Sequence, residues 1–235
     1  LTNRYPERKD CPIGDTILEV KNWNVFHPED PHRQMLKDIN IKVRSGEVVG
    51  LAGLMGAGRT EFAMSLFGHS YGQKISGQVF MHGKEVSTKT VRDAIKNKIA
   101  YTSEDRKTYG LVLIQDIKDN MTMAAMNDYY SKNGIVDKNK VILDSEDYRK
   151  KINVKTNSIH QPVGAKYEIY CVINELAKAG KAVVIISSEM PEIIGTCDRV
   201  YVLNEGHIAG ELNREELSQE RIMQCIMQDN NGKGE

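Results

Sequence analysis

Three glycines, a basic residue and a threonine follow an apolar run in the first quarter of the chain, a set of residues suited to binding phosphate. The stretch has the spacing G-x-x-x-x-G-K-[ST], with arginine in place of the usual lysine. Glycines permit a tight turn whose bare backbone N–H groups approach phosphate oxygens, and the following helix directs the positive end of its dipole at the same anion. We therefore predict that this loop binds the phosphates of a nucleotide. The alternative is a glycine turn that only joins a strand to a helix. The predicted phosphate-binding residues are Gly53, Leu54, Met55, Gly56, Ala57, Gly58, Arg59 and Thr60.

Two side chains at the end of this loop have predicted roles of their own. Thr60 is expected to offer its hydroxyl to Mg²⁺, and Arg59 is expected to offer its charge to the terminal phosphates. Because a guanidinium is a planar fork rather than a compact point charge, phosphate binding tolerates this replacement of lysine better than transition-state positioning does. The loop therefore predicts nucleotide binding more firmly than hydrolysis.

The composition gives no support for several classes of function. The chain has 235 residues, with 32 basic and 32 acidic side chains, so its net charge gives no indication of a nucleic-acid partner. The four cysteines lie far apart without a C-x-x-C pair, which favours neither a zinc site nor a disulfide framework and suggests a reducing compartment. No apolar run is long enough to span a membrane, and the first ten residues are too polar for a signal peptide. We expect a cytosolic protein that could be a piece of a longer one.

The elements around the loop predict an α/β fold. Apolar and polar residues alternate over residues 17–25 and 35–43, which is the pattern of two strands. Residues 48–52 are apolar throughout, as in a buried strand, and the helix after the loop is expected to end near Gly68. Residues 1–16 are rich in charge, proline and glycine and are predicted to be a linker or extended arm.

The middle of the chain is predicted to leave the sheet for a mostly helical lobe. Before it we expect a strand over residues 78–83, a short helix over 90–98 and a strand over 99–102. The lobe covers about residues 111–163, and its helical periods run over 121–130 and 145–152.

The last part of the chain is predicted to return to the sheet. A helical pattern from residue 165 ends at Gly180, and residues 182–186, apolar on both faces, are typical of a central parallel strand. A hairpin is expected from a strand over residues 200–203, the turn Asn204-Glu205-Gly206 and a strand over 207–212. Ser218 is predicted to cap a final amphipathic helix, after which residues 229–235 are expected to be disordered.

Several phrases of the sequence resemble the ATP-binding domain of ABC transporters. Besides the glycine loop they are Glu104-Asp105-Arg106-Lys107, Gly164-Ala165-Lys166-Tyr167-Glu168-Ile169-Tyr170 and Ile186-Ser187-Ser188-Glu189-Met190-Pro191-Glu192. Within that family they are most similar to the second nucleotide-binding domain of the tandem ATPases of bacterial importers for ribose, galactose or xylose. The resemblance covers nearly the whole chain, and we expect the domain over residues 17–228. It implies a P-loop NTPase core with an antiparallel β lobe and a helical subdomain.

The resemblance also implies roles for particular residues. Phe26 lies at the position where members of the family stack an aromatic ring on adenine, and His27 could contribute to the same contact. Glu104 lies where most members have a glutamine that reaches the metal, and Ser188 lies at the switch position, usually a histidine that touches the γ-phosphate. The alternatives are a solvated loop carboxylate for Glu104 and a helix cap for Ser188. Trp23 could also stack on adenine, but on an alternating strand we favour packing in the core.

The sequence departs from the family in one important respect. The signature loop and the Walker B strand, which ends in Asp-Glu, belong between Val163 and Gly164, and these two residues are directly joined here. The aspartate that holds Mg²⁺ and the glutamate that activates water are therefore missing. Residues 141–146 imitate Walker B, but we favour a helix start capped by Asp144 or Ser145. Either the protein does not hydrolyse ATP, or the sequence omits a segment that the complete protein has.

The resemblance implies an ATP-binding subunit that uses ATP and Mg²⁺ to drive monosaccharide import. Its expected partners are a sister nucleotide-binding domain, the membrane permease docked on the helical lobe and, indirectly, an extracytoplasmic sugar-binding protein. The expected location is the cytoplasmic face of the membrane. Because phosphoryl transfer depends on positioning and charge neutralisation, a chain without the Walker B acids is expected to bind ATP weakly and not to hydrolyse it alone. The alternatives are a non-catalytic docking partner and, less favoured, a soluble small-molecule kinase with the same loop.

Overall fold

The computed structural model describes residues 11–103, 110–112, 114–126, 129–151, 159 and 168–231, and for residues 168–172 and 230–231 it describes the backbone alone. The chain divides into two compact units. The first comprises the residues up to Tyr101 and those from Ile173 onward, and the second runs from Thr102 to Val172. Among the described residues, every helix is too short or too polar to cross a lipid bilayer.

The first unit contains an antiparallel sheet of four strands in the order β2-β1-β4-β5. Its strands are β1 (Thr16–Phe26), β2 (Gln34–Arg44), β4 (Gln73–Met81) and β5 (Lys84–Val86). Alternate side chains of β1 and β2 are buried, so the predictions of two strands over residues 17–25 and 35–43 are confirmed. Trp23 is buried, and its indole N–H donates a 3.0 Å hydrogen bond to Ser65 Oγ, which confirms the favoured core interpretation.

A second sheet in this unit has the order β10-β9-β3-β8 and includes the strand before the glycine loop. Its strands are β3 (Val48–Gly53), β8 (Val183–Ile186), β9 (Arg199–Asn204) and β10 (His207–Asn213). β3 runs parallel to both β8 and β9, while β9 and β10 form the predicted antiparallel hairpin. The side chains of β9 are buried along its whole length, as are those of β3 up to Ala52, which places the start of the loop on a rigid element.

In the described part of the first unit there are four whole helices and most of a fifth. These are α1 (Arg59–Leu66), α2 (Val91–Lys96), α6 (Met190–Thr196) and α7 (Gln219–Asn231), with α5 (Glu168–Lys178) joining the unit from Ile173 onward. Ser218 Oγ accepts a hydrogen bond from Arg221 N, as expected of the predicted cap of the last helix. Ile222 and Ile226 of α7 are buried in a cluster with Val48 of β3 and Val200 of β9.

A buried ion pair joins the two sheets near the start of β3. Glu47 is fully buried and accepts hydrogen bonds from Arg199 Nε at 2.8 Å and Nη2 at 3.1 Å. Arg199 also donates to Lys42 O on β2 and to the hydroxyl of Tyr201. Burial raises the pKa of Glu47, but hydrogen bonds from Arg199 and Arg44 outweigh it and lower that pKa to about 2. Burial by itself would lower the pKa of Arg199, but the hydrogen bonds of Arg199 to Glu47 and Glu211 have the larger effect and raise that pKa.

Two sequence predictions for the parallel sheet are wrong. Residues 182–186 were expected to form a central strand, but within the described residues β8 lies at the edge of its sheet, and Val183, Val184 and Ile186 are only half-buried. Residues 99–102 were expected to form a strand and form none. Apolar composition predicts burial but cannot supply a partner, and a strand forms only by pairing with a neighbour.

The second unit is described from short elements. They are α3 (Ile117–Thr122), α4 (Lys138–Lys151), a 3₁₀ turn (Met123–Ala125) and a small hairpin of β6 (Ser131–Lys132) and β7 (Ile135–Val136). The predicted helix over residues 121–130 is wrong where the structure describes it, because α3 ends at Thr122 and a 3₁₀ turn follows. Residues 127–128 lie outside the described residues. The predicted lobe, residues 111–163, falls inside this unit, and the predicted domain division stays a prediction.

The stretch that imitates Walker B lies within α4 and is not a strand. The expected helix start at Asp144 or Ser145 is also wrong, because α4 begins at Lys138. Its first turn is held by Asp137, whose Oδ1 accepts from Lys140 N at 3.0 Å. Ser145 instead donates its hydroxyl hydrogen to Val141 O, one turn earlier in the same helix.

Disorder was predicted from residue 229 onward, but the last helix extends beyond that residue. Residues 229–231 continue α7, and the side chain of Asp229 binds the β9–β10 hairpin. Polar composition favoured disorder, whereas hydrogen-bond partners supplied by a distant hairpin favour the helix. Residues 232–235 and the first ten residues of the predicted arm lie outside the described residues.

Candidate functional site

The glycine loop connects the C-terminal end of β3 to the first turn of α1. β3 ends at Gly53 and α1 begins at Arg59, so the predicted strand, loop and helix follow one another as expected. Gly56 and Gly58 have φ values of 79° and 102°, a region that other residues adopt with difficulty. Ala57 N donates to Leu54 O at 3.1 Å, which closes the turn. The loop is therefore bent as a phosphate-binding loop requires.

One side of this loop is packed and the other is open. A Cβ atom at Gly53 would lie 2.4 Å from Leu203 O, and one at Gly58 would lie 2.7 Å from Leu36 Cδ2, so both positions need glycine. A Cβ atom at Gly56 would meet nothing within 4 Å, and Met55 is 99% exposed. The N-terminal residue of α1 is preceded by Gly58, which has no side chain to cap the helix amides. These amides can serve an anion that approaches from the open side.

The hairpin turn between β9 and β10 supports the packed side of the loop. Gly206 N donates a 3.1 Å hydrogen bond to Ala57 O, and Gly206 O accepts one of 2.7 Å from Lys37 N on β2. A Cβ atom at Gly206 would lie only 2.0 Å from Met35 O. Sequence reasoning predicted this turn from Asn204-Glu205-Gly206 but gave no sign that it contacts the loop.

Arg59 and Thr60 occupy the first two positions of α1. Arg59 is half-buried, and its Nη1 donates a 2.6 Å hydrogen bond to Ser187 O at the end of β8. Thr60 is exposed in the first turn of α1. The structure thus brings Arg59 together with residues 187–192, here named the switch segment because they include the predicted switch position Ser188. Arg59 and Ser187 are 128 positions apart in the sequence.

The switch segment is organised by Ser187, which sequence reasoning did not single out. Ser187 Oγ is hydrogen-bonded to the carboxylate of Glu192 and accepts from Glu189 N at 3.0 Å. The N-cap residue of α6 is Glu189, not Ser188, and Ser188 is exposed.

The remaining predicted residues differ in how far the structure describes them. Phe26 is half-buried at the end of β1, with Lys74 Nζ 5.6 Å from its ring centroid. His27 Nδ1 accepts a hydrogen bond from Glu29 N. Glu104 lies outside the described residues, as does the junction of Val163 and Gly164. Among the described residues no cluster of three or more His, Cys, Asp or Glu side chains could hold a metal ion.

The family profile described as ABC transporter matches residues 36–162, more than half of the chain. The chain belongs to the ABC transporter family. The expected family and fold class are thereby confirmed, and the matched segment ends immediately before the junction where the Walker B strand was expected.

Two curated relatives are ATP-binding proteins of bacterial sugar transport. The L-arabinose transport ATP-binding protein AraG of Geobacillus stearothermophilus is 46% identical over 261 residues, and the xylose import ATP-binding protein XylG of Thermoanaerobacter pseudethanolicus is 40% identical over 260 residues. Each alignment covers 96% of this chain, and the chain spans about half the length of these relatives. Both alignments are longer than the chain itself, so these ABC proteins have residues without a counterpart here.

Solved structures confirm the fold of this ABC chain. A nucleotide-free ATP-binding cassette from an ABC transporter has a TM-score of 0.69 at 16% identity, covering 93% of this chain and 98% of the other. A dimeric cassette in a post-hydrolysis state, bound to ADP and Pi, has a TM-score of 0.65 at 12% identity, covering 84% and 99%. At such low identities these likenesses establish the fold alone.

Proposed function

We propose that this chain is the nucleotide-binding domain of a monosaccharide importer and that Gly53–Thr60 bind the phosphates of ATP. The observation that carries the proposal is the geometry of the loop, which is bent, packed on one side and open on the other at the start of α1. Residues 1–16 and 17–228 keep their proposed roles as arm and domain. The names of the arabinose and xylose relatives support a sugar of that class as the cargo.

The residues around the loop have complementary proposed roles. Arg59 neutralises the terminal phosphates while it holds Ser187 O, and Phe26 stacks on the adenine. Ser188 and Glu104 are proposed to contact the γ-phosphate and the metal, respectively. Both proposals for these two residues rest on the resemblance of their surrounding phrases.

The residues present fit Mg²⁺ only in part. Thr60 is exposed in the first turn of α1 and would supply one oxygen ligand, whereas phosphates and water would supply the others. The bound ion would neutralise charge on the phosphates. The sequence has no Walker B aspartate to hold it and no following glutamate to orient water, so we propose that the chain as printed binds ATP without hydrolysing it alone.

The proposed partners follow from the same assignment. A sister nucleotide-binding domain would face the open side of the loop, and a membrane permease would receive the force of closure at the cytoplasmic face of the membrane. A sugar-binding protein would act on the permease. The balanced charge of 32 basic and 32 acidic residues gives no support for a nucleic-acid partner.

A titration with a fluorescent ATP analogue tests nucleotide binding. We expect saturable binding that Arg59→Ala weakens by at least about tenfold, because the main charge facing the terminal phosphates is lost. Arg92→Ala is the matched control, since it removes an exposed arginine from α2, and it should leave the affinity unchanged. Identical curves for the wild type and Arg59→Ala would refute the assignment of the loop.

The missing Walker B acids favour one second candidate, a dedicated non-catalytic binding partner. Inserting the signature and Walker B segment of a relative between Val163 and Gly164 distinguishes the two candidate functions. Recovered Mg²⁺-dependent phosphate release would identify the core of an ATPase, and bound but unhydrolysed ATP would identify a binding module. The control insert carries alanine in place of both Walker B acids.

A further inference from the structure

The last turn of α7 carries a carboxylate that binds both sides of the β9–β10 turn. Asp229 Oδ2 accepts a 2.6 Å hydrogen bond from Asn204 Nδ2, and Asp229 Oδ1 lies 2.7 Å from His207 Nε2. Asn204 is the last residue of β9, His207 is the first of β10, and the two pair across the turn. One side chain of α7 therefore clamps the hairpin where the turn begins and ends.

The clamped turn has a backbone that needs such support. Glu205 and Gly206 have φ values of 44° and 82°, and positive φ is unfavourable for glutamate because its Cβ approaches the backbone. A conformation of this kind persists where the surrounding structure holds it. The hydrogen bonds of Asp229 hold the two residues that flank it.

The same turn bears directly on the phosphate-binding loop. Its Gly206 amide donates to Ala57 O, and on its other side Gly206 is pressed against β2 through Met35 O and Lys37 N. The turn has no room to move toward β2. A shift of the turn would therefore act on the loop through the hydrogen bond between Gly206 N and Ala57 O.

The position of Asp229 in its helix argues for a role beyond helix formation. The C-terminal end of a helix carries a partial negative charge, so a carboxylate in the last turn is unfavourable there. α7 has no basic residue in that turn to offset it. The compensating contacts come from Asn204, which is buried, and from His207.

We propose that Asp229 is a positioning residue of the phosphate-binding loop and that the end of α7 thereby sets the affinity for nucleotide. The path runs from Asp229 through Asn204 and His207 to the turn, and from Gly206 to Ala57. This inference rests on the proposed function, because it concerns the loop to which ATP is assigned.

Three variants of the 235-residue chain test this role. Asp229→Ala removes both contacts, and we expect the dissociation constant of a fluorescent ATP analogue to rise about fivefold, the scale of coupling between linked sites. Asp229→Asn keeps an oxygen for Asn204 and offers an N–H to a neutral His207, so it should restore most of the affinity. Gln228→Ala removes an exposed side chain from the same turn of α7 and is the matched control.

Amide hydrogen exchange without nucleotide supplies a readout that does not depend on ATP. In Asp229→Ala we expect faster exchange in residues 53–60 and 204–207, with β1 unchanged. Faster exchange throughout the first unit, or wild-type affinity in Asp229→Ala, would overturn the proposal and leave Asp229 a purely structural role. If the wild type itself fails to bind the analogue, the proposed function fails, while the exchange pattern still decides whether Asp229 acts on the loop.

Discussion

The guanidinium of Arg59 donates a 2.6 Å hydrogen bond to the carbonyl oxygen of Ser187. The contact ties the first residue of α1 to the residue that follows β8, so one side chain joins the end of the glycine loop to the segment before α6. An arginine carries five N–H donors in a planar fork, and it can hold a carbonyl with one nitrogen while others face a phosphate. This geometry gives the replacement of lysine by arginine a structural role.

Changing the shape of this cation without removing its charge should separate its two roles. In Arg59→Lys we expect the affinity for an ATP analogue to fall by less than about tenfold, and the free energy of unfolding to fall by about 1 kcal/mol as the bond to Ser187 O weakens. Arg59→Met should lose more affinity, because the charge is gone. Titration and urea denaturation measure the two effects, with Arg92→Lys as control. If lysine binds as weakly as methionine, the fork and not the charge holds the nucleotide.

Removing the buried charge at the start of β3 should destabilise the first unit strongly. Glu47→Gln leaves Arg199 facing a neutral amide, and we expect the free energy of unfolding to fall by about 3 kcal/mol. Glu211→Gln is the matched control, since it removes a half-exposed partner of the same arginine, and it should cost less than about 1 kcal/mol. Urea denaturation compares them. Equal losses would show that the buried pair contributes no more than the exposed one.

Stability should depend on the ionisation of Glu47 at acid pH. Its pKa is lowered from 4.5 to about 2 in the folded chain, so its stabilising contribution is present above pH 4.5 and is lost as the pH falls toward 2. We expect the free energy of unfolding of the wild type to decrease across this window more steeply than that of Glu47→Gln. Denaturation at a series of pH values measures both slopes. Parallel curves for the two proteins would contradict the assignment of this pH dependence to Glu47.

Two turn glycines should respond very differently to alanine. Gly206 and Gly83 both follow a non-glycine residue of positive φ in a two-residue hairpin turn, with φ values of 82° and 75°. A methyl group at Gly206 meets Met35 O, whereas one at Gly83 meets nothing within 4 Å. Gly83→Ala should therefore cost about 1 kcal/mol for backbone strain alone.

Gly206→Ala should cost at least about 3 kcal/mol, because overpacking against backbone adds to that strain. Thermal unfolding of both variants gives the comparison. Similar losses at the two positions would show that the β9–β10 turn is not pressed against β2, and the path from Asp229 to the loop would lose its rigid link.

Local patterns in the sequence predicted the elements that make up the site. The strand β3, the glycine loop and the start of α1 are contiguous, so spacing and backbone requirements suffice to identify them. The β9–β10 turn and the Ser218 cap are equally local. The apolar run that became β8 was recognised as a strand, but its place in the sheet was wrong, because periodicity reports which faces are buried and not which strand lies alongside.

By itself, the sequence determined the glycine loop, the strands and helix that hold it, and the family resemblance carried by its phrases. Only the tertiary structure decided that Arg59 reaches Ser187, that Gly206 supports Ala57 and that Asp229 clamps the hairpin. Each of these contacts joins residues far apart in the chain. Residue type and spacing define what a side chain can bind, whereas the packing of the sheets and α7 against one another decides which partner comes within reach.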